Sequence, residues 1–143
     1  MEKTIKVSFL LVCLCFSSCY ESPHIDFHSY QELSEYNFIT HGWIPELMGE
    51  DAYAIQETYD VNNRHLFGKF EFKDRVRYDS IIKSYSVVEG DSLLAGIKAI
   101  NKPRYPKWFI PKEELVKGNY IMVKHENFYL IMEKNGNRIY YLR

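Results

Sequence analysis

Two aromatic-rich runs, 52-AYAIQETYD-60 and 64-RHLFGKFEF-72, have an alternating character. A period of two places Tyr53, Ile55, Glu57 and Tyr59 on one side of the first run, and Leu66, Gly68, Phe70 and Phe72 on one side of the second. Val61-Asn62-Asn63 separates the runs, and Asn tolerates the positive φ of a tight turn, so the pair predicts a β-hairpin. The period then lengthens. Between Asp74 and Val88, Tyr78, Ile81, Ile82 and Tyr85 form one stripe with Arg75, Asp79 and Lys83 off it, which predicts a helix packed on a sheet. A second helix is predicted from Ser92 to Ile100, capped by Asp91 and turning Leu93, Leu94, Ile97 and Ile100 inward, with Gly96 weakening it.

Upstream, Ser29 precedes Glu32 by three, the spacing of a capping box, and Tyr30, Leu33 and Phe38 recur at helical intervals. A helix over 29–39 follows, ended by Gly42, with Pro45 forcing an extended turn after it. At the other end, Asn119–Lys124, Phe128–Lys134 and Arg138–Leu142 are three strands joined by His125-Glu126-Asn127 and by a turn holding Asn135-Gly136. These strands are apolar on both sides, so both faces of their meander should be covered. The stretch 101-NKPRYPKWFIP-111 carries three prolines and Trp108, and reads as a loop or an edge segment. Together the elements predict an α+β fold: a mostly antiparallel sheet of about five strands, formed by the N-terminal hairpin and the C-terminal meander, with two to three helices on it. The 74–88 helix should cross one face, with the 29–39 helix near the other face or at an edge.

The first residues change the picture. Lys3 and Lys6 precede an apolar run from Val7 to Phe16, ten residues long, which suits a secretory signal and falls short of the ~20 residues a membrane-spanning helix needs. Ser17, Ser18 and Cys19 follow, and 16-FSSC-19 resembles the lipobox at which bacterial lipoproteins are cut before an acylated cysteine. All three cysteines, Cys13, Cys15 and Cys19, lie in this leader, leaving no disulfide partner downstream. The resemblance implies a signal peptide over 1–18, lipidation of Cys19, a tether over 19–27 and one domain over 28–143. Tyr20 stands where an aspartate retains many lipoproteins at the inner membrane, which implies the outer one.

Removing Glu2, Lys3 and Lys6 with the leader leaves 16 basic and 18 acidic side chains, a net charge of −2. Such a balance gives no basis for nucleic-acid binding. No phosphate-binding glycine loop, nucleophile elbow, His-Glu-x-x-His or Cys-x-x-Cys occurs, so no cofactor is expected and no catalytic residue can be named. His24, Asp26 and His28 would share one side of an extended segment as a possible metal set, but a tether lacks the fixed second shell that orients ligands, and no metal site is predicted. His41, His65 and His125 are scattered among other turns and strands. Glu46, Glu50 and Asp51 crowd one loop and could work as an acid–base pair, which leaves a carboxylate-dependent hydrolase as a remote alternative. Aromatics make up 16% of the chain and serve a small disulfide-free core well. Trp43 and Trp108 lie in proline-bearing loops and are the better candidates for a binding surface, together with Glu46 and Asp51.

The run 42-GWIPELMGEDAYAIQETYDVNNRHLFGKFEF-72 resembles a pattern in small uncharacterised bacterial lipoproteins: a Gly-Trp-Ile/Leu-Pro segment, an Ile-x-Glu strand, a polar turn and a second aromatic strand. The later segments 106-PKWFIP-111 and 138-RIYYLR-143 echo the rest of that pattern. Gly49, Asp51 and Asn62-Asn63-Arg64 depart from it, where Pro, Ser and Asp-Thr-Asn are usual. The resemblance names no activity. It implies a lipid-anchored envelope protein, and the expected function is non-enzymatic binding of a protein or a glycan-like envelope polymer. An immunity or inhibitor protein acting on a toxin or hydrolase is the alternative.

Overall fold

A computed structural model describes residues 23–36, 41–60, 64–85, 90–99, 105–115 and 118–143. The leader and Cys19 lie outside the described residues, as do the predicted Val61-Asn62-Asn63 turn and the ends of the first two predicted helices. The described residues form a six-stranded antiparallel sheet with three helices, an α+β fold. Its strands are β1 (His24–Ser29), β2 (Ala52–Asp60), β3 (His65–Phe72), β4 (Tyr120–His125), β5 (Phe128–Glu133) and β6 (Arg138–Leu142), in the order β1-β2-β3-β6-β5-β4. The helices are α1 (Tyr30–Ser34), α2 (Arg75–Ser84) and α3 (Gly90–Ala99).

The sixth strand is β1, and it corrects the reading of 19–27 as tether: residues from His24 onward pair with β2, His24 opposite Thr58 and Phe27 opposite Ile55. Only Ile25 and Phe27 are apolar there, and Phe27 is buried. Ser29 then caps α1, accepting from Glu32 N as the capping-box spacing predicts. The helix is shorter than expected, because it ends at Ser34 with only Leu33 buried. Gly42 takes the left-handed conformation, at φ 64°, while residues 37–40 before it lie outside the described residues.

Two apolar layers sandwich the sheet. The first face carries Phe27, Ile55, Leu66, Phe70, Phe72, Leu130, Ile139 and Tyr141, covered by Leu33 of α1, by Ile44 and Met48, and by Tyr78 of α2. Thus α1 and α2 share a face, with α1 beside edge strand β1. Asp74 caps α2 by accepting from Val76 N and Arg77 N, and the predicted stripe packs inward. The Tyr78 hydroxyl lies 2.5 Å from the Glu133 carbonyl oxygen and 3.0 Å from that of Arg138, so it pins α2 to the β5–β6 connection. The second face carries Phe67, Met122, Ile131, Tyr140 and Leu142 under Leu93 and Ile97 of α3 and Phe109, Ile110 and Leu115. The meander strands are therefore covered on both sides, as their composition predicts.

One polar device sits inside the first layer. Glu57, Gly68 and Tyr141 are neighbours across three strands. A Cβ built at Gly68 would fall inside the Tyr141 ring, so glycine is what lets that ring lie flat across β3. The Tyr141 hydroxyl then donates to Glu57 Oε2 at 2.9 Å. Burial raises the Glu57 carboxyl to about 7, against the opposing hydrogen bond from Tyr141 and the charge of Arg143.

Candidate functional site

A second correction to the periodic reading locates the site. Between Tyr53 and Gln56 the register with β3 shifts, and Ala54 takes φ 50° in the resulting bulge. The bulge moves Tyr53 off the Ile55–Glu57–Tyr59 side, and its hydroxyl donates to Glu71 Oε2 at 2.7 Å on the second face. Gln56 and Thr58 point to that face too. The covering layer of α3 and residues 105–115 packs on the β3–β6–β5–β4 part of the second face. Over β1 and β2 the same face presents His24, Asp26, His28, Gln56 and Thr58.

This polar part is organised in rows. His24, Thr58, Phe67 and Leu142 form one row, and Asp26, Gln56, Lys69 and Tyr140 the next on the same side. His24 Nδ1 lies 3.1 Å from Thr58 Oγ1 and its Nε2 lies 3.1 Å from Asp26 Oδ2, so the imidazole bridges the two rows. Beside it is a hollow of about 370 Å³ lined by Asp26, His28, Ala54, Gln56 and Lys69. Gln56 Oε1 is buried there and has no hydrogen-bond partner among the described residues. An unpaired buried amide of this kind costs about 1–3 kcal/mol, which a bound polar group recovers.

Trp108 stands next to Lys69 and His24 beside the hollow, without lining it. A turn from Pro106 to Phe109, in which Phe109 N donates to the Pro106 carbonyl oxygen at 3.1 Å, presents the indole half-buried. Lys69 Nζ lies 5.6 Å from the centre of its ring, and the His24 ring 5.9 Å. Burial pushes the Lys69 ammonium below the usual lysine range, helped by Arg138 and opposed by Glu71, Asp26 and Glu133. Arg138 is itself engaged: Nε donates to Glu71 Oε1 at 2.9 Å and Nη1 to the Tyr140 hydroxyl at 3.1 Å.

Trp43 lies elsewhere. It stacks on Tyr59 at 5.4 Å and packs on the first-face core, so the two tryptophans stand on opposite faces and do not form one platform. Glu46 lines a second cleft, about 420 Å³, between the Gly42–Met48 loop and the β4–β5 turn, with Tyr30, Ile44, Glu126 and Phe128. Asp51 belongs to neither: its carboxylate pairs with Arg77 of α2, which also donates to the Leu47 carbonyl oxygen at 3.2 Å and lies 5.2 Å from the Phe72 ring. The Arg77 guanidinium occupies the space a side chain at position 49 would need, which accounts for Gly49 beside Asp51. Arg77→Ala should lower the urea midpoint by the equivalent of about 1 kcal/mol, since the pair is partly solvent-screened. An unchanged midpoint would show that the pair does not hold the loop. Glu50 is exposed, and no group of three His, Cys, Asp or Glu side chains among the described residues could hold a metal.

With β1, the Gly42–Met48 loop and the bulged hairpin placed, the comparison with known families becomes specific to a region. A family model described as the YbbD head domain matches residues 21–71. The matched stretch is about a third of the chain and contains β1, α1, the Gly42–Met48 loop, β2 and most of β3. No curated protein and no solved structure gives a significant match. The part similar to the YbbD head domain thus supplies Asp26, His28, Ala54, Gln56 and Lys69 of the hollow, while Trp108 comes from outside it. Gln56 and Lys69 were not singled out in the sequence, where polar positions in an alternating strand look like a solvated side.

Proposed function

We propose that the protein is a non-enzymatic binding module of the bacterial envelope, held at a membrane by acyl chains on Cys19, which takes a glycan segment in the hollow beside Trp108. The observation that carries this reading is the unpartnered Gln56 amide oxygen, buried in the wall of a space lined by Asp26 and Lys69, with a half-buried indole next to Lys69. Sugar hydroxyls both donate and accept, so they satisfy Gln56 whichever way its amide is turned. Lys69 donates, Asp26 accepts, and a pyranose face covers an indole ring well. The anchor rests on the lipobox-like 16-FSSC-19.

Sedimentation with purified cell-wall glycan is the test. Trp108→Ala and Gln56→Ala should each weaken binding about tenfold or more with the thermal midpoint nearly unchanged. Equal binding by both variants and the parent removes the glycan reading. Labelling with a fatty-acid analogue should be lost in Cys19→Ser, and persistence of label would sink the anchor.

A second reading, an inhibitor or immunity protein, is favoured by the other cleft. Glu46 and Glu126 flank apolar Ile44, Met48 and Phe128 there, which suits the stem and charge of a partner protein's lysine or arginine. Loss of a captured protein partner in Glu46→Lys, with glycan sedimentation absent in the parent, would decide for it.

A further inference from the structure

The strand register brings one end of the sheet close to Cys19. β1 starts at His24, five residues after that cysteine, and five extended residues reach about 17 Å at most. The row His24–Thr58–Phe67–Leu142 fixes which other parts lie at the same end: the close of β2, the start of β3 and the residue after β6. Tyr59 and Leu66 form the next row outward, and Leu66 exchanges backbone hydrogen bonds with Arg143 at 2.9 and 3.0 Å.

Trp43 belongs to this end. Its ring stacks on Tyr59, and Arg143 Nη1 donates to the Gly42 carbonyl oxygen at 2.7 Å, tying the Trp43 loop to the margin of the sheet. Among the described residues the exposed charge at this end is mixed, with a basic excess. Arg64 is exposed and Arg143 half-buried, whereas the nearby carboxylates of Glu57 and Asp60 are 4% and 1% exposed. Glu46 and Glu126 are exposed acids at the far corner, Glu126 lying 3.8 Å from His125 Nε2, and Lys124, in the row of Tyr129 and Leu142, is exposed beside them. An indole and basic side chains at one end of the sheet suit the headgroup layer, where tryptophan sits at the boundary and each arginine or lysine near an anionic surface adds about 1 kcal/mol.

From this juxtaposition we infer that the end bearing Trp43, Arg64 and Arg143 rests on the anionic phospholipid surface into which the Cys19 acyl chains insert. The inference deepens the anchored reading and rests on it. In this orientation the strands stand on the membrane, and the hollow beside Trp108 faces sideways above the headgroups, accessible to a polymer running along the surface.

The chain's two tryptophans make the test direct. Acylated full-length protein is placed on vesicles of phosphatidylglycerol and phosphatidylethanolamine whose acyl chains are brominated near the headgroup. Trp108→Phe, which leaves Trp43, should lose at least half its fluorescence to the bromines. Trp43→Phe, which leaves Trp108, should lose less than a tenth and remain open to iodide from the water. Arg64→Glu, at an exposed position, should halve the quenching of Trp43. Vesicle-bound protein with Trp43 unquenched, or with both tryptophans quenched alike, overturns the orientation while leaving the anchor intact. Protein that does not stay with the vesicles overturns the anchor and the orientation together.

Discussion

Gly68→Ala is expected to destabilise the fold by more than about 3 kcal/mol, near the upper end for a single methyl added to a core. The added Cβ falls where the Tyr141 ring lies, and the strand cannot back away because β3 is bonded to β2 on one side and β6 on the other. Tyr141 must therefore swing out of a fully buried site, lose its hydrogen bond to Glu57 and leave a cavity above Phe70 and Phe128, whose rings it touches. A double-mutant cycle isolates the cause. In a Tyr141→Leu background the same alanine should cost less than about 1 kcal/mol, because the space is then free. Equal costs in both backgrounds would mean that backbone freedom, and not the ring, explains the glycine. Urea denaturation followed by fluorescence gives all four values.

The second large effect is a pH dependence. Glu57 ionises near 4.5 when the chain is unfolded and at about 7 in the fold. Between those values the folded state keeps a proton that the unfolded state releases, so stability falls as pH rises from about 4.5 to 7 and levels off above. The full difference is at most about 3 kcal/mol. Glu57→Gln keeps an acceptor for the Tyr141 hydroxyl and removes the ionisation. It should therefore flatten this part of the profile and be more stable than the parent at pH 8, with little difference at pH 4. If the parent and Glu57→Gln show the same slope between pH 5 and 7, the buried carboxyl is not what sets it.

How legible these features are in sequence depends on how local their causes are. The β2–β3 hairpin is legible from its alternation, the three C-terminal strands from short apolar runs bounded by turn residues, and α2 because Asp74 caps a stripe that begins at Tyr78. Strand β1 is not, since an edge strand needs only Ile25 and Phe27 inside and its other side reads as linker. The bulge has no local signature: Ala54 is an unusual residue at positive φ, and only pairing with β3 reveals that Tyr53 has changed sides. Gly68 did carry a signal, a glycine inside an otherwise aromatic strand, but its partner Tyr141 is 73 residues away. The same distance problem hides the site. Trp108 and Gln56 are ordinary positions until the fold sets Lys69 between the indole and the amide.

The strand order also constrains the timing of assembly. β6 is the last strand in the chain, yet it lies in the middle of the sheet and joins β1–β2–β3 to β4–β5. During synthesis both groups emerge before the strand that pairs with β3 on one side and β5 on the other. The two cannot be joined until residues 138–142 have cleared the ribosome, and only then can both cores close. A nascent chain stalled a few residues short should therefore remain protease-sensitive throughout, and the strand made last acts as the clasp that joins the two halves.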